Sequence, residues 1–285
     1  MTRRHFIQQT TQSVGAAALA GPSTLDLSAD PLIKMPIGFQ TWVVREKLAK
    51  DFAGTLREMA GLGYQTVEMC SPPDYVSSGF GPLMSLNASE MRRTIQEAGL
   101  RCESCHYPFE GLKQNLDARI AFAKELGLKQ MVISGYWLKD TATLADWQRQ
   151  CEESNRVGEK TLAAGLPLVF HNHHFEFKQL EGRLIYDAMM GVLDPKLVKM
   201  QFQVAVISDG FEAATYFNQY PGRFLSMHLA DWSAKEKKTV ALGRGVVDWK
   251  KLFAAAQTGG VKNYFVEMDL PLLKPSCAYL QGLEV

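Results

Sequence analysis

The feature that most constrains this chain is an alternation. From residue 36 onward, short apolar runs take turns with longer stretches whose apolar residues recur at helical spacing. The strand-like runs are Ile37–Val44, Thr66–Cys70, Arg101–Tyr107, Gln130–Gly135, Leu168–His173, Val198–Val206, Phe224–Ala230 and Asn263–Asp269. Helix-like stretches lie between them at Phe52–Leu62, Met91–Ala98, Leu116–Leu126, Leu144–Ala164 and Trp249–Ala256. Gly63, Gly99, Gly127, Gly165 and Gly260 follow these stretches, where a helix C-terminus favours a left-handed residue. Asp51, Ser89, Asp117 and Asp248 stand near their starts as candidate N-caps. Eight β-runs separated by helices, in a span close to the roughly 250 residues of one α/β barrel, predict a single (β/α)8 TIM barrel. No Gly-x-Gly-x-x-Gly turn follows the first run, which disfavours a dinucleotide-binding open sheet.

The first residues read differently. Arg3-Arg4-His5-Phe6 is a twin-arginine signature, and the small apolar run Val14–Ala20 that follows suits the core of a signal peptide. That run is too short to span a bilayer. The expected organisation is therefore a Tat-type leader over residues 1–30 and a barrel over residues 31–285, with export to the periplasm. Tat cargo is carried folded, so a barrel loaded with metal inside the cell fits this route.

Charge excludes one class of function. The formal net charge is +1 and no basic stripe appears, so a nucleic-acid enzyme or binder is disfavoured. The five cysteines are scattered and do not form a disulfide framework. Cys102-Glu-Ser-Cys105-His106 matches the haem-attachment pattern formally. On a regular strand, however, Cys102 and Cys105 point to opposite faces, and packed, reduced thiols are the better reading.

The chemistry gathers where the strand-like runs end. A buried parallel strand is expected to be almost wholly apolar. Here the runs turn polar toward their C-termini, the end that carries the active site in such barrels. Glu68, His106, the cluster His171-Asn172-His173-His174, Gln201 and Gln203, Ser226 and His228, and Glu267 and Asp269 all occupy such positions. Side-chain alternation puts His171 and His173 on one face, as it does Gln201 and Gln203, Ser226 and His228, and Glu267 and Asp269. Imidazoles and carboxylates meeting at one mouth suit a divalent ion such as Mn²⁺, Zn²⁺ or Mg²⁺. Such an ion polarises a carbonyl, and Glu267 would serve as ligand, as proton-abstracting base, or as both. Any one of these histidines alone is more simply a hydrogen-bonded core residue; three within four positions are harder to assign to packing. Gln40 lies near the mouth on the first run. Trp42, Tyr136 and Trp137 are candidates for a wall on which a sugar stacks, and also for rim packing. Lys235–Lys238 reads as a solvated loop.

At these residues the chain resembles the sugar phosphate isomerase/epimerase group of xylose isomerase-like barrels. The segments that carry the resemblance are Ile37–Arg45, Gly63–Glu68, His171–Phe177, Tyr220–His228, Leu242–Trp249 and Tyr264–Glu267. The resemblance implies a divalent metal held from strands five to eight, here by His171 (or His173), Gln203, His228 and Glu267. It also implies acid/base groups moving a proton beside a ketose carbonyl, with Glu267, His171 and Glu68 as catalytic candidates. His106, His173, Gln40, Trp137 and Arg244 are then candidates for holding substrate. The departure is at strand six, where Gln203 stands in place of the family's Asp. A neutral amide is a poor ligand for a transition ion, and its presence weakens the expected site.

The function this implies is metal-assisted sugar isomerisation or epimerisation through an enediolate. Two alternatives share the barrel. One is a lyase or hydratase acting on a keto-sugar or 3-keto-glycoside. The other is a non-catalytic carbohydrate-binding barrel, which Gln203 motivates. The expected partner is a small sugar or glycoside, with no nucleic acid and no stable membrane insertion; barrels of this kind commonly pair as homodimers.

Overall fold

Each of the eight apolar runs forms a parallel strand, and the strands close on themselves. The computed structural model describes residues 35–284, so the expected Tat-type leader lies outside the described residues. The strands are β1 (Gly38–Gln40), β2 (Thr66–Cys70), β3 (Arg101–Tyr107), β4 (Gln130–Ile133), β5 (Leu168–His171), β6 (Val198–Gln203), β7 (Phe224–Leu229) and β8 (Asn263–Val266). Each pairs with its neighbours in sequence, and β1 pairs with β8 to complete a single (β/α)8 TIM barrel. Helices surround it. The helix Phe52–Gly61 starts from Asp51, whose carboxylate accepts from the Gly54 N–H. Trp249–Gly259 starts from Asp248 in the same way and ends on Gly260, whose φ of +88° is left-handed.

Several boundaries differ from the sequence reading, each for a local reason. The helix expected to start near Ser89 is capped instead by Asn87, which forms a reciprocal capping box with Glu90. The one expected to start near Asp117 already begins at Phe109, after Pro108, and bends at Asn115. Three of the expected strands give way to 3₁₀ turns. Thr41–Val44 and Val204–Asp209 wind into 3₁₀ turns, started by the side chains of Gln40 and Gln203, and His174–Phe177 follows β5 likewise. Helices Ile185–Val192, Ala213–Gln219 and Leu270–Gln281 complete the layer. Among the described residues no helix is long and apolar enough to cross a membrane.

Two bulges set the phase of the barrel interior. Between β2 and β3 the register passes from Val67↔Cys102 to Glu68↔Ser104, so Glu103 is an extra residue. It brings Ser104 and His106 into line with Glu68 and Cys70. It also places Cys102 beside Val67 and Cys105 beside Met69, on one face. The expected opposite orientation of the two thiols is therefore corrected, because strict alternation fails across a bulge. All five cysteines are buried and free. A second shift, between Met200↔Phe224 and Gln201↔Ser226, lines Gln203 up with His228.

Candidate active site

The barrel interior is polar where barrels of this class are usually filled by branched aliphatic side chains. From the floor upward, Asn263 donates to Gln130 at 3.3 Å. Gln130 donates to the hydroxyls of Ser104 (2.8 Å) and Ser226 (3.2 Å). Gln201 donates to Ser226 at 2.9 Å and to Glu68 at 2.8 Å. Burying such groups without partners would cost several kcal/mol in total, at about 1–3 kcal/mol each. Here each one hands a hydrogen bond to the next, and the ladder fixes the side chains above it.

Glu68 stands at the top of this ladder and is fully buried. Its carboxylate accepts from Gln40 (2.7 Å), Ser104 (2.5 Å), Gln201 (2.8 Å) and His228 Nε2 (2.5 Å), and His106 Nε2 lies 3.1 Å away. Burial alone would raise its pKa. The imidazoles of His106 and His228 outweigh that and hold it well below the ordinary carboxylate range.

His228 faces carboxylates on both sides. Its Nδ1 lies 2.9 Å from Glu267 Oε2. Burial opposes its charge, but Glu68 and Glu267 together push its pKa up to about 9. Both ring nitrogens are then donors. Glu267 lies just beyond the end of β8, and its bonds run through Oε2, which also accepts from Gln203 at 2.6 Å. The side chain remains 19% exposed toward the cavity. Burial pushes its pKa upward, but His228 more than offsets this and keeps it ionised at neutral pH.

The remaining imidazoles come from β3 and β5. The rings of His106 and His228 stack 5.2 Å apart, and His171 lies 4.4 Å from His228 and 4.7 Å from His173. Burial, helped by the neighbouring rings, holds His171 well below its usual pKa and His173 down to about 4, so both are neutral. The Nδ1 atoms of His171 and His173 are buried and have no partner. A short chain behind them sets the backbone. Asn172 accepts from the Gln203 N–H at 3.1 Å, and Glu176 accepts from the His173 N–H at 2.7 Å. The other oxygen of Glu176 has no partner, and burial pushes this carboxyl up to about 8.

These groups close the inner end of a cavity of about 290 Å³. Trp42 and Tyr75 line one side, with the Tyr75 hydroxyl on Ser134 Oγ at 2.5 Å, and Trp137 lines another. His106, His171, His173, Glu267 and Trp137 line this cavity, Gln203 and His228 bond Glu267 behind it, and Gln40 and Glu68 lie buried beneath; the meeting of His171, His173, Gln203, His228 and Glu267 is the one the alternation predicts. Tyr136 does not join the wall; it is buried against Phe170, with its hydroxyl on Ser154. Arg244 is brought elsewhere, to an exposed turn outside this cavity. That turn is fastened by Asp231, which accepts from the N–H groups of Gly243, Gly245 and Val247. Ser104, Gln201 and Glu176 were missed as candidates, although Gln201 shares the inward phase of Gln203.

Gln203 does not act as a simple stand-in for a ligand carboxylate. Its amide donates to Glu267 and its oxygen accepts from the Ala205 N–H at 3.2 Å. A convergent donor set exists beside it. Ligand atoms of His106, His171 and His228 lie within 4.8 Å of one another, and Glu267 adjoins them. With the unpartnered Nδ1 of His171, this set fits a divalent ion that accepts imidazole, provided His228 gives up its proton.

A closed eight-stranded barrel with an acid-, amide- and imidazole-lined strand-end cavity defines the class of protein. Within it, the chain belongs to the xylose isomerase-like TIM barrel family, whose model matches residues 56–284. Among curated relatives it is 24% identical over 202 residues to an inosose dehydratase of Geobacillus thermodenitrificans, spanning 59% of this chain and 67% of that protein. Two further matches span 46% of their relatives' length. Among solved structures, a sugar phosphate isomerase/epimerase from Parabacteroides distasonis superposes with a TM-score of 0.71 at 24% identity, covering 87% of this chain and 96% of that one. The zinc-bound IOLI protein superposes with a TM-score of 0.63 at 13% identity, covering 87% and 94%. At these identities the structural likeness speaks for the fold.

Proposed function

We propose that this chain is a sugar-processing enzyme that removes a proton from the carbon next to a carbonyl, with Glu267 as the base. The observation that carries this reading is the contrast at His228. Of the two carboxylates that grip it, Glu68 is saturated and buried, whereas Glu267 keeps one oxygen available to the cavity. Glu267 is ionised at neutral pH and stands where a substrate can reach it. Glu68 is then a positioning residue that fixes His228 and, through His228, Glu267. His173 binds and orients the hydroxyls flanking the carbonyl. Trp42 and Trp137 cover the site and limit water.

His106, His171, His228 and Glu267 would hold a divalent ion. When bound, it would polarise the substrate carbonyl and lower the energy of the enediolate. Once the proton is on Glu267, its return to the other face or the adjacent carbon gives epimerisation or isomerisation. Loss of a group from the carbon β to the carbonyl gives elimination. The similarity to an inosose dehydratase favours the second outcome about as strongly as the isomerase-named structural neighbour favours the first. The expected twin-arginine leader supports a periplasmic enzyme, and export in turn favours unphosphorylated sugars.

The test is proton exchange. Purified protein, supplied with Mn²⁺ or Zn²⁺, is incubated with keto-sugars and keto-inositols in D₂O and followed by NMR. The expected result is deuterium entering at the carbon next to the carbonyl, falling when a chelator is added. Absence of exchange into every keto-substrate, with metal present, would leave a binding barrel as the better account.

A further inference from the structure

The catalytic cavity does not end at Trp137. On the other side of the same indole lies a groove of about 540 Å³, lined by Trp147, Phe175, Leu180 and Ile185, with Lys139 and Lys178 at its polar edge. A row of rings connects the two spaces. His171 is 4.7 Å from His173, His173 stacks on Phe175 at 5.1 Å with an 8° tilt, and Phe175 is 6.3 Å from Trp147. Trp137 overhangs this row, 4.8 Å from His173 and 5.6 Å from Phe175.

The indole is set in place by unusual backbone. Trp137 is 55% exposed and has a φ of +53°, a left-handed conformation uncommon for a bulky residue. Such conformations persist where the surroundings hold them, often at ligand sites. Gly135, itself at φ +140°, provides the room: a Cβ there would sit 3.2 Å from the indole. The cavity alone is at the small end of ligand pockets, which run from about 300 to 1,000 Å³; cavity and groove together fall well inside that range.

We propose that the substrate carries a second, flat apolar ring, and that this groove holds it while the keto-sugar ring occupies the catalytic cavity. The inference rests on the proposed proton abstraction and names its substrate class: a keto-glycoside with an aryl aglycone. In a glycoside the anomeric carbon is locked, so the carbonyl must lie elsewhere on the ring. With the carbonyl at C3, the acidic hydrogen is on C2 and the aglycone oxygen on C1 is β to the carbonyl. Glu267 takes the C2 proton, the electron pair forms the C1=C2 bond, and the C1–O bond breaks. The aglycone oxygen keeps the C1–O bonding pair and is protonated to the free phenol or alcohol. The products are an enone and an alcohol, and no oxidant or reductant is needed.

The test compares 4-nitrophenyl and methyl 3-keto-β-D-glucopyranosides with metal-supplemented protein, in wild type and Trp137→Ala. The expected kcat/KM ratio, nitrophenyl over methyl, corrected for leaving-group reactivity with a nitrophenyl/phenyl pair, is roughly tenfold or more in wild type and collapses toward one in the variant. A corrected ratio near one in wild type, or one that survives in Trp137→Ala, overturns the groove assignment. If neither substrate reacts, the chemistry has failed and the groove is still tested by binding. Nitrophenyl glycoside is expected to quench tryptophan emission in wild type and far less in Trp137→Phe; equal quenching in both, or none in wild type, overturns it.

Discussion

The lower and upper halves of the barrel interior are built from the same kinds of residue and behave differently. Below, Gln130, Ser104, Ser226, Gln201 and Glu68 form a ladder in which each side chain answers the next; Asn263 donates to it from the floor, and its own buried Oδ1 has no partner. Above, at the mouth, His171 and His173 each carry a buried nitrogen with no partner, and Glu267 shows an oxygen to the cavity. A nearly saturated network is rigid and chemically quiet, because most of its lone pairs and protons are committed. An incompletely satisfied one is costly within the protein alone, and that cost is recovered when a ligand supplies the missing partners. On the proposed function, two glutamates on one imidazole have different work: the lower one positions and the upper one reacts.

The comparison can be broken most forcefully at Glu68. Glu68→Gln leaves His228 with a single carboxylate and inserts an amide among donors. Breaking a buried, hydrogen-bonded charge pair in this way is expected to cost about 3–5 kcal/mol of stability. Denaturant unfolding of wild type and variant checks this. A loss below about 1 kcal/mol would show that the lower half is not the tight network described.

A pH-dependent effect of similar size sharpens the contrast at Glu176, whose second buried carboxylate oxygen has no partner. Its pKa is raised by burial to about 8 from an ordinary 4.5, so the folded protein holds it neutral while the unfolded chain ionises. Its contribution is fully present below 4.5 and is lost as pH rises through 8. Stability should fall by about 1.4 kcal/mol per pH unit across that window. Glu176→Gln keeps an oxygen for the His173 N–H and should remove that slope. Melting curves of both proteins between pH 5 and 8 make the comparison; parallel pH dependences would place Glu176 in a wetter setting than its burial indicates.

Much of this was legible in the chain. The eight β-runs gave the barrel because a buried parallel strand leaves a continuous apolar signature. His171, His173, His228 and Glu267 stood out because polar residues end those runs. Three kinds of information were not legible. The bulge at Glu103 depends on pairing between strands, so strict alternation misplaced Cys102 relative to Cys105. Val204–Ile207 is apolar and mostly β-branched, yet it winds into a 3₁₀ turn because Gln203 caps it through the Ala205 N–H. Arg244 was expected to help hold substrate, but the glycines beside it serve a turn tied to Asp231, where any added Cβ at Gly245 would collide with the Asp231 carboxylate at 2.1 Å. The role of Gln201 was visible in its phase, but its partners Glu68 and Ser226 are 133 and 25 residues away.

The most direct measurement is hydrogen–deuterium exchange into a keto-sugar substrate by Glu267→Gln and Glu68→Gln, each confirmed folded by circular dichroism at the assay temperature. The account predicts that Glu267→Gln loses about 10²–10⁴-fold in exchange rate, while Glu68→Gln stays within about tenfold of wild type. Exchange at the wild-type rate in Glu267→Gln, or loss confined to Glu68→Gln, would contradict the division of labour between the two carboxylates.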